Sequence, residues 1–216
     1  SPFNSVGACL YSPRRKYQGH RMSGGIAAMV LAAGRSSRMG DQNKLLLKFN
    51  DQSMVSHVID QLVASNASDI IVVTGNDFED VIKSITQKVE FTHNPDYNQG
   101  LSSSLKAGIS ALPTTADGVM VCLGDMPYIT AAHYNRLIEA FAPGKIIVPT
   151  SNGKIGNPLI FSKEYFKDFD DLSGDKGARK LLKEYPEQIV KIDLGTDAIF
   201  NDIDTPDAYQ DIMDRF

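Results

Sequence analysis

The sequence predicts an α/β fold in which helices cover both faces of a mostly parallel β-sheet. Apolar runs with the length of strands alternate with helical patterns along the chain, which is the signature of βαβ units. With 42% hydrophobic and 22% charged residues, the composition is that of a globular protein. The 216 residues suffice for one substantial core. We therefore expect a single domain over residues 23–216.

The predicted elements follow one another in the order that a parallel sheet requires. Predicted strands cover residues 26–33, 69–74, 89–93, 118–123, 145–149, 159–161 and 188–194. Predicted helices cover residues 53–64, 78–85, 102–111, 131–141, 163–169 and 176–184. A last short strand over residues 198–203 leads to Thr205 and Pro206, which suit the N-cap and first turn of a final helix.

The charge distribution argues against a nucleic-acid-binding protein. The first 22 residues hold four basic groups and no acidic one, so the net charge of −4 leaves −8 on the remainder. Nonspecific binding to nucleic acid needs a broad basic surface, which this acidic body does not offer. The composition of residues 1–22 predicts an unstructured tail, derived from an expression vector or lying upstream of a natural start at Met22.

Cysteine usage and hydropathy indicate a cytoplasmic protein without a membrane partner. Cys9 and Cys122 have neither the spacing of a metal site nor that of a disulfide framework, as expected in a reducing compartment. The longest apolar run, residues 26–33, is far shorter than the ~20 residues of a membrane helix. The four histidines are scattered without metal or triad spacing, so we assign them no role.

A glycine- and serine-rich loop follows the first predicted strand, where open α/β sheets bind ligands. Its backbone N–H groups can form an anion-binding nest, and Arg38 and Lys44 add positive charge. The loop has neither the Walker A pattern nor the pattern of a dinucleotide-binding fold. A flexible basic turn is the simpler interpretation of such a loop, but the spaced glycines, basic residues and position together favour a polyphosphate site. The candidate nucleotide-binding residues are Leu31, Ala32, Ala33, Gly34, Arg38 and Lys44.

Three aspartates are candidate metal ligands. Asp125 follows the strand predicted over residues 118–123, and Mg²⁺ is commonly held by one or two carboxylates together with substrate phosphates. A simple Gly-Asp turn explains Asp125 about equally well. Asp202 and Asp204 share one face if their segment is extended, although helix capping is the better single interpretation of Asp204.

Two further segments offer weaker candidates. Gly100 and Ser104 lie in a small-residue loop that opens a predicted helix, where they could approach the nucleotide. Asn157 lies in a Gly-Asn-Pro turn, and Lys176 and Arg179 lie near the start of another predicted helix, where they could contact an acceptor. Ordinary helix capping, a plain turn and a solvated helix start are the competing interpretations.

These motifs, in this order, resemble the molybdenum cofactor cytidylyltransferase family, which is related to the corresponding guanylyltransferase. The resemblance extends over residues 26–209 and includes the loop ending at Lys44, the segment 100–105, the Gly-Asp-Met-Pro segment 124–127, and segments 156–158, 174–179 and 202–206. It implies a Rossmann-like three-layer fold and the transfer of CMP from CTP to the terminal phosphate of molybdopterin, with release of pyrophosphate. It also implies Mg²⁺ at Asp125, for which Mn²⁺ could substitute. The family often has His where Asn157 stands.

On this resemblance, Arg38, Lys44 and Asp125 are the expected catalytic residues, and a molybdoenzyme or a chaperone would receive the product. Ala33 favours CTP over GTP, because the guanylyltransferase relatives have glycine at this position and a methyl group would crowd a purine. Two rivals remain open at this point. One is cytidylyl or guanylyl transfer to another phosphorylated acceptor, such as a sugar phosphate, and the other is a nucleotide-binding regulatory module without catalysis.

Overall fold

The computed structural model describes residues 24–34 and 43–200. The strands in these ranges are β1 (Ile26–Ala32), β2 (Lys48–Phe49), β3 (Gln52–Ser53), β4 (Ile70–Thr74), β5 (Glu90–His93), β6 (Gly118–Leu123), β7 (Ile146–Ser151), β8 (Lys154–Ile155), β9 (Leu159–Ser162) and β10 (Ile189–Asp193). The α-helices are α1 (Met54–Val63), α2 (Phe78–Ser84), α3 (Leu101–Ala111), α4 (Ala131–Glu139) and α5 (Arg179–Glu184).

Eight of these strands form one sheet in the order β10-β7-β9-β6-β1-β4-β5, with β8 paired to β7, and β2 and β3 form a separate hairpin. The pairs β1–β4, β1–β6, β4–β5 and β7–β10 are parallel. Only β9, between β6 and β7, and the short β8 are antiparallel to their neighbours in this sheet. The predicted mostly parallel sheet is confirmed.

The sheet is covered on both faces, which is why its central strands are apolar throughout. All seven residues of β1 are buried. Ala28 and Val30 pack with residues of α1, α2 and α4 on one face, whereas Met29 and Leu31 pack with residues of α3 and α5 on the other. The side chains alternate between two hydrophobic layers, and the carboxyl ends of β1, β4 and β6 meet at one edge.

Local hydrogen bonds explain where two of the helices begin. The Ser53 hydroxyl accepts from the Ser56 N–H at 3.2 Å at the start of α1. At the start of α4, the Thr130 hydroxyl accepts from the His133 N–H, and the His133 ring accepts from the Thr130 N–H. Each hydroxyl satisfies an amide that has no partner within its own helix.

The last third of the chain differs from the prediction in three places. Asp197–Ile199 forms a 3-10 turn instead of the start of a strand, because the Thr196 hydroxyl accepts from the Ala198 N–H and so caps a turn. Lys163–Asp171 is a 3-10 helix, and the regular part of the helix predicted over residues 176–184 begins only at Arg179. Residues 201–203, the rest of the predicted strand, lie outside the described part of the chain.

Within residues 24–34 and 43–200, no helix has the length and apolar character needed to cross a bilayer.

Candidate functional site

Glycines allow the carboxyl ends of β1, β4 and β6 to converge. A Cβ on Gly124 would lie 3.1 Å from the Leu31 carbonyl oxygen, and the Gly124 N–H donates to that oxygen at 3.2 Å. A Cβ on Gly75, just after β4, would lie 2.8 Å from the Ala33 Cβ. This is closer than carbon atoms can pack, so the approach of the strand ends depends on these two positions.

Lys44 and Asp125 form an ion pair at this edge of the sheet, with Nζ and Oδ2 2.7 Å apart. The two side chains are 20% and 13% exposed, respectively, so solvent still reaches both groups. Lys44 begins the 3-10 turn Lys44–Leu46, and Asp125 follows Gly124 at the end of β6. The structure therefore brings together two residues that the sequence predicted for phosphate and metal binding.

The turn between β4 and α2 is tied to both flanks of the predicted phosphate loop. The Asn76 N–H donates to the Ala33 carbonyl at 3.5 Å. On the other flank, the Asn43 side-chain amide donates to the Asp77 carboxylate at 3.3 Å, and its carbonyl oxygen accepts from the Leu45 N–H at 3.0 Å. Asp77 has a positive φ of 53°. Asn43 thus both caps the turn that begins with Lys44 and anchors it to Asp77.

The start of α3 packs directly against the segment that precedes α5. Gly100 has a φ of +108°, and a Cβ on it would lie 2.4 Å from the Gly174 carbonyl oxygen. The same oxygen accepts from the Ser102 N–H at 3.0 Å and from its hydroxyl at 2.7 Å. The segments around Gly100 and Gly174, which were separate candidates in the sequence analysis, therefore pack against each other.

Ser104 is 4% exposed, and its hydroxyl accepts from the Asn94 side-chain amide at 3.0 Å. The Ser103 hydroxyl accepts from the same amide at 2.9 Å. These bonds fix the segment after β5 against α3. In this structure the Ser104 hydroxyl binds the Asn94 side chain. A contact between Ser104 and the nucleotide stays a prediction.

Asn157 and Arg179 line one pocket of about 200 Å³, together with Leu123, Met126, Ile155, Ile199 and Phe200. The Arg179 guanidinium donates to the Ile155 carbonyl at 2.9 Å, and the Asn157 N–H donates to the Ile199 carbonyl at 2.9 Å. Because Leu123 and Met126 flank Asp125 in sequence, the pocket lies beside the ion pair. Lys176 is exposed and is not among its lining residues.

His57 supports the Asp125 loop, a role that sequence reasoning missed. Its Nε2 donates to the Pro127 carbonyl at 3.1 Å, and its ring lies 4.5 Å from the Phe49 ring, between centroids. Burial lowers the pKa of His57, despite the opposing effects of the Pro127 hydrogen bond and of Asp60. No spacing in the sequence could have indicated this contact, because 70 residues separate the two partners.

The metal-ligating side chains among the described residues could hold an ion only if a nucleotide supplied further ligands. Residues 24–34 and 43–200 contain no group of three or more His, Cys, Asp or Glu that could hold an ion. Asp125 offers a carboxylate at the crevice, which suits Mg²⁺ bound mainly through substrate phosphates. The other predicted ligands, Asp202 and Asp204, lie outside the described residues, as does Arg38.

Cys122 lies in β6 with 1% exposure, and burial raises the pKa of its thiol. A buried thiol that resists ionisation is a poor nucleophile. Cys9 lies outside the described residues.

Comparison with known proteins places this arrangement in a family. A family model described as the MobA-like NTP transferase domain matches residues 28–189. The molybdenum cofactor cytidylyltransferase of Escherichia coli (strain K12) is 31% identical over 193 residues, which cover 88% of this chain and 97% of that protein. The purine catabolism protein PucB of Bacillus subtilis (strain 168) is 29% identical over 201 residues, which cover 85% of this chain and 94% of that protein.

A solved structure agrees with the fold. A protein of Mycobacterium tuberculosis H37Rv, crystallised in complex with manganese, superposes with a TM-score of 0.77 at 25% identity. The superposition covers 89% of this chain and 100% of that chain. The family model spans both Lys44 and Asp125. The chain therefore belongs to the MobA-like NTP transferase domain family, and it is a nucleotidyltransferase.

Proposed function

We propose that this nucleotidyltransferase transfers CMP from CTP to the terminal phosphate of molybdopterin and releases pyrophosphate, with Mg²⁺ as its metal ion. The observation that carries the proposal is the Lys44–Asp125 pair, 2.7 Å apart where the first strand and β6 end. A lysine and a carboxylate at one point of the crevice offer a cation for phosphate and a ligand for a metal.

Lys44 would hold the phosphates of CTP. In the free protein its ammonium is paired with the Asp125 carboxylate. When a triphosphate enters, Lys44 exchanges part of this contact for phosphate oxygens, and Asp125 becomes available as a ligand. Bound Mg²⁺ would neutralise negative charge on the phosphates, and Asp125 would hold it. A relative of known structure was crystallised with manganese, which supports a divalent ion in this family.

The chemistry needs no nucleophile from the protein. An oxygen of the acceptor phosphate would attack the α-phosphorus of CTP in line, forming one P–O bond as the bond to the leaving pyrophosphate breaks. That oxygen is already anionic near neutral pH, because the second pKa of a phosphate monoester is about 6. The residues of the chain therefore contribute position and electrostatic stabilisation. The buried, protonated Cys122 is consistent with such a mechanism.

The pocket beside Asp125 would receive the acceptor. Most of its lining residues are apolar, and Asn157 and Arg179 supply its polar groups. With about 200 Å³ it has room for a flat ring, while the terminal phosphate would stay in the crevice near Asp125. One guanidinium N–H of Arg179 is used by Ile155, and the others remain to meet polar groups of an acceptor.

The preference for CTP rests on the loop after β1. Ala33 stands where the guanylyltransferase relatives have glycine, but its methyl group is only 2% exposed and faces Gly75. We therefore propose that the methyl group acts on base selection by setting the distance between the ends of β1 and β4. The molybdenum cofactor cytidylyltransferase of Escherichia coli, at 31% identity, supports CTP and this acceptor.

Product analysis tests the proposed nucleotide and the proposed acceptor. The protein is incubated with Mg²⁺, each of the four NTPs in turn, and molybdopterin, a sugar phosphate or an alditol phosphate as acceptor, and the products are identified by mass. We expect pyrophosphate and the CMP adduct of molybdopterin, with kcat/KM for CTP well above that for GTP. An equal or higher kcat/KM for GTP would overturn the cytidylyl assignment. Efficient transfer to a different phosphate alone would overturn the acceptor.

A further inference from the structure

Hydrogen bonds to neighbouring elements hold the loop that carries Asp125 on both sides of this residue. On the N-terminal side, the Gly124 N–H donates to the Leu31 carbonyl at 3.2 Å. On the C-terminal side, the buried Pro127 is linked to α1, because its carbonyl accepts from the His57 Nε2 at 3.1 Å. His57 thus contacts the loop of Asp125 at the second residue after the carboxylate.

His57 is itself fixed by an aromatic cluster that reaches the segment of Lys44. Its ring packs at 4.5 Å from that of Phe49, in the hairpin that follows the Lys44 turn. Phe49 also meets the ring of Tyr128 edge-on at 6.1 Å, and Tyr128 follows Pro127 directly. Phe49, His57 and Tyr128 therefore connect the two segments that carry the members of the Lys44–Asp125 pair.

We propose that His57 is a positioning residue, which sets the Asp125 carboxylate for metal and nucleotide through its hydrogen bond to Pro127. This inference rests on the proposed role of Asp125. Without the Nε2–H donor, a buried carbonyl loses its partner and the loop must shift to satisfy it. A displacement of ~1 Å at a reacting group can lower the rate by ~10²-fold, so a small shift would suffice.

Two substitutions separate the hydrogen bond from the packing of the ring. His57→Phe retains a ring against Phe49 but removes the donor. His57→Gln removes the ring but places an amide N–H the same number of bonds from Cα as Nε2. If His57 only fills space, His57→Phe is the milder change; if it positions Asp125, His57→Gln is the milder one.

His133→Phe is the matched control. It also removes a histidine hydrogen bond, the one with Thr130 at the start of α4. We expect it to lower the melting temperature through the loss of this half of the capping box, while metal binding and turnover stay within ~2-fold of wild type. A general effect of losing a histidine would appear in this control.

The measurements are Mn²⁺ binding in the presence of CTP, by electron paramagnetic resonance, together with kcat, KM for CTP and the melting temperature. For His57→Phe we expect at least ~10-fold weaker Mn²⁺ binding and a ~10- to 10²-fold lower kcat, with KM for CTP changed by less than ~3-fold. His57→Gln should restore Mn²⁺ binding and kcat to within ~3-fold of wild type. If His57→Phe does not fold, His57→Asn, whose shorter amide falls short of Pro127, takes its place with the same expectations.

Normal Mn²⁺ binding and turnover in the donor-free variant would overturn the inference. So would a His57→Gln variant as impaired as the donor-free one. Asp125→Asn, measured in parallel, separates this failure from failure of the proposed site. If Asp125→Asn itself binds Mn²⁺ and turns over normally, the proposed role of Asp125 fails, whatever His57 does.

Discussion

At the scale of single residues, the proposed site is centred on the ion pair between Lys44 and Asp125. Lys44 and Asp125 are both partly exposed, so their pairing contributes only about 1 kcal/mol or less to stability, as for other ion pairs that solvent reaches. We propose that the pair serves binding, because the same two charges can be redistributed onto a phosphate and a metal ion. Function and stability should therefore respond differently to their substitution.

Lys44→Ala should lower kcat/KM for the nucleotide much more than it lowers stability. We expect at least a ~10²-fold fall in kcat/KM, because a preorganised cation at the phosphates is lost. The melting temperature should fall by about 4 °C or less, as a loss of ~1 kcal/mol predicts for a chain of this size. Steady-state kinetics and thermal unfolding measure the two effects.

Lys83→Ala serves as the control for Lys44, since Lys83 is an exposed lysine in the last turn of α2. Lys83→Ala should leave kcat/KM for the nucleotide and the melting temperature unchanged. Arg38 lies outside the described residues, and its predicted phosphate contact leads us to expect a similar loss for Arg38→Ala. Unchanged turnover in both Lys44→Ala and Arg38→Ala would contradict the phosphate-loop interpretation.

At the scale of elements, the site is assembled from strand ends and helix starts that are fixed to each other. Gly174, before α5, closes the amino end of α3 by accepting from both donors of Ser102. Asp77, before α2, accepts from Asn43 and so holds the turn of Lys44. Each contact joins segments far apart in sequence. A substitution in one loop should therefore destabilise the start of a helix that is distant in sequence.

Gly100→Ala should destabilise the start of α3. Alanine would have to adopt a φ near +108° and place its Cβ 2.4 Å from the Gly174 carbonyl oxygen, so backbone strain and overpacking combine. Each effect typically costs about 1–3 kcal/mol, so we expect a loss of about 3 kcal/mol in the free energy of unfolding. Denaturant unfolding measures it.

Gly34→Ala is the matched comparison, because no atom of the described residues lies within 4 Å of the position of its Cβ. It should change the free energy of unfolding by less than ~0.5 kcal/mol. If Gly100→Ala were as stable as Gly34→Ala, the close packing of α3 against Gly174 would be wrong.

At the scale of the whole molecule, the parallel sheet and its helices could be predicted, but the less regular last third of the chain could not. The apolar run of β1 and the alternation of strands and helices predicted the parallel sheet, since both depend on local patterns. The reversal of β9 could not be predicted, because an apolar strand of four residues carries no signal of its direction. A strand was predicted over residues 198–203, but the capping hydroxyl of Thr196 makes Asp197–Ile199 a turn.

The candidate site divides in the same way. Lys44 and Asp125 were predicted because they follow strands, and the carboxyl ends of parallel strands meet at one edge. Asn43, Asp77 and His57 escaped prediction, because their roles arise from tertiary contacts between side chains and distant backbone. Such contacts produce no recognisable pattern of residue spacing in a single sequence.

The most direct test of the account is the Mg²⁺ dependence of cytidylyl transfer by Asp125→Asn. The substitution retains the size of the side chain and removes the charge that the metal ion needs. We expect a fall in kcat of ~10²-fold or more, as for the loss of a metal ligand or a preorganised electrostatic contact, with weaker Mg²⁺ dependence of CTP binding. The melting temperature without ligands should stay near that of the wild type, since Asp125 lies at the crevice and not in the hydrophobic core. Normal turnover with full Mg²⁺ dependence would contradict the account, because Asp125 would then be a turn residue and the metal would have to be sought at Asp202 or Asp204.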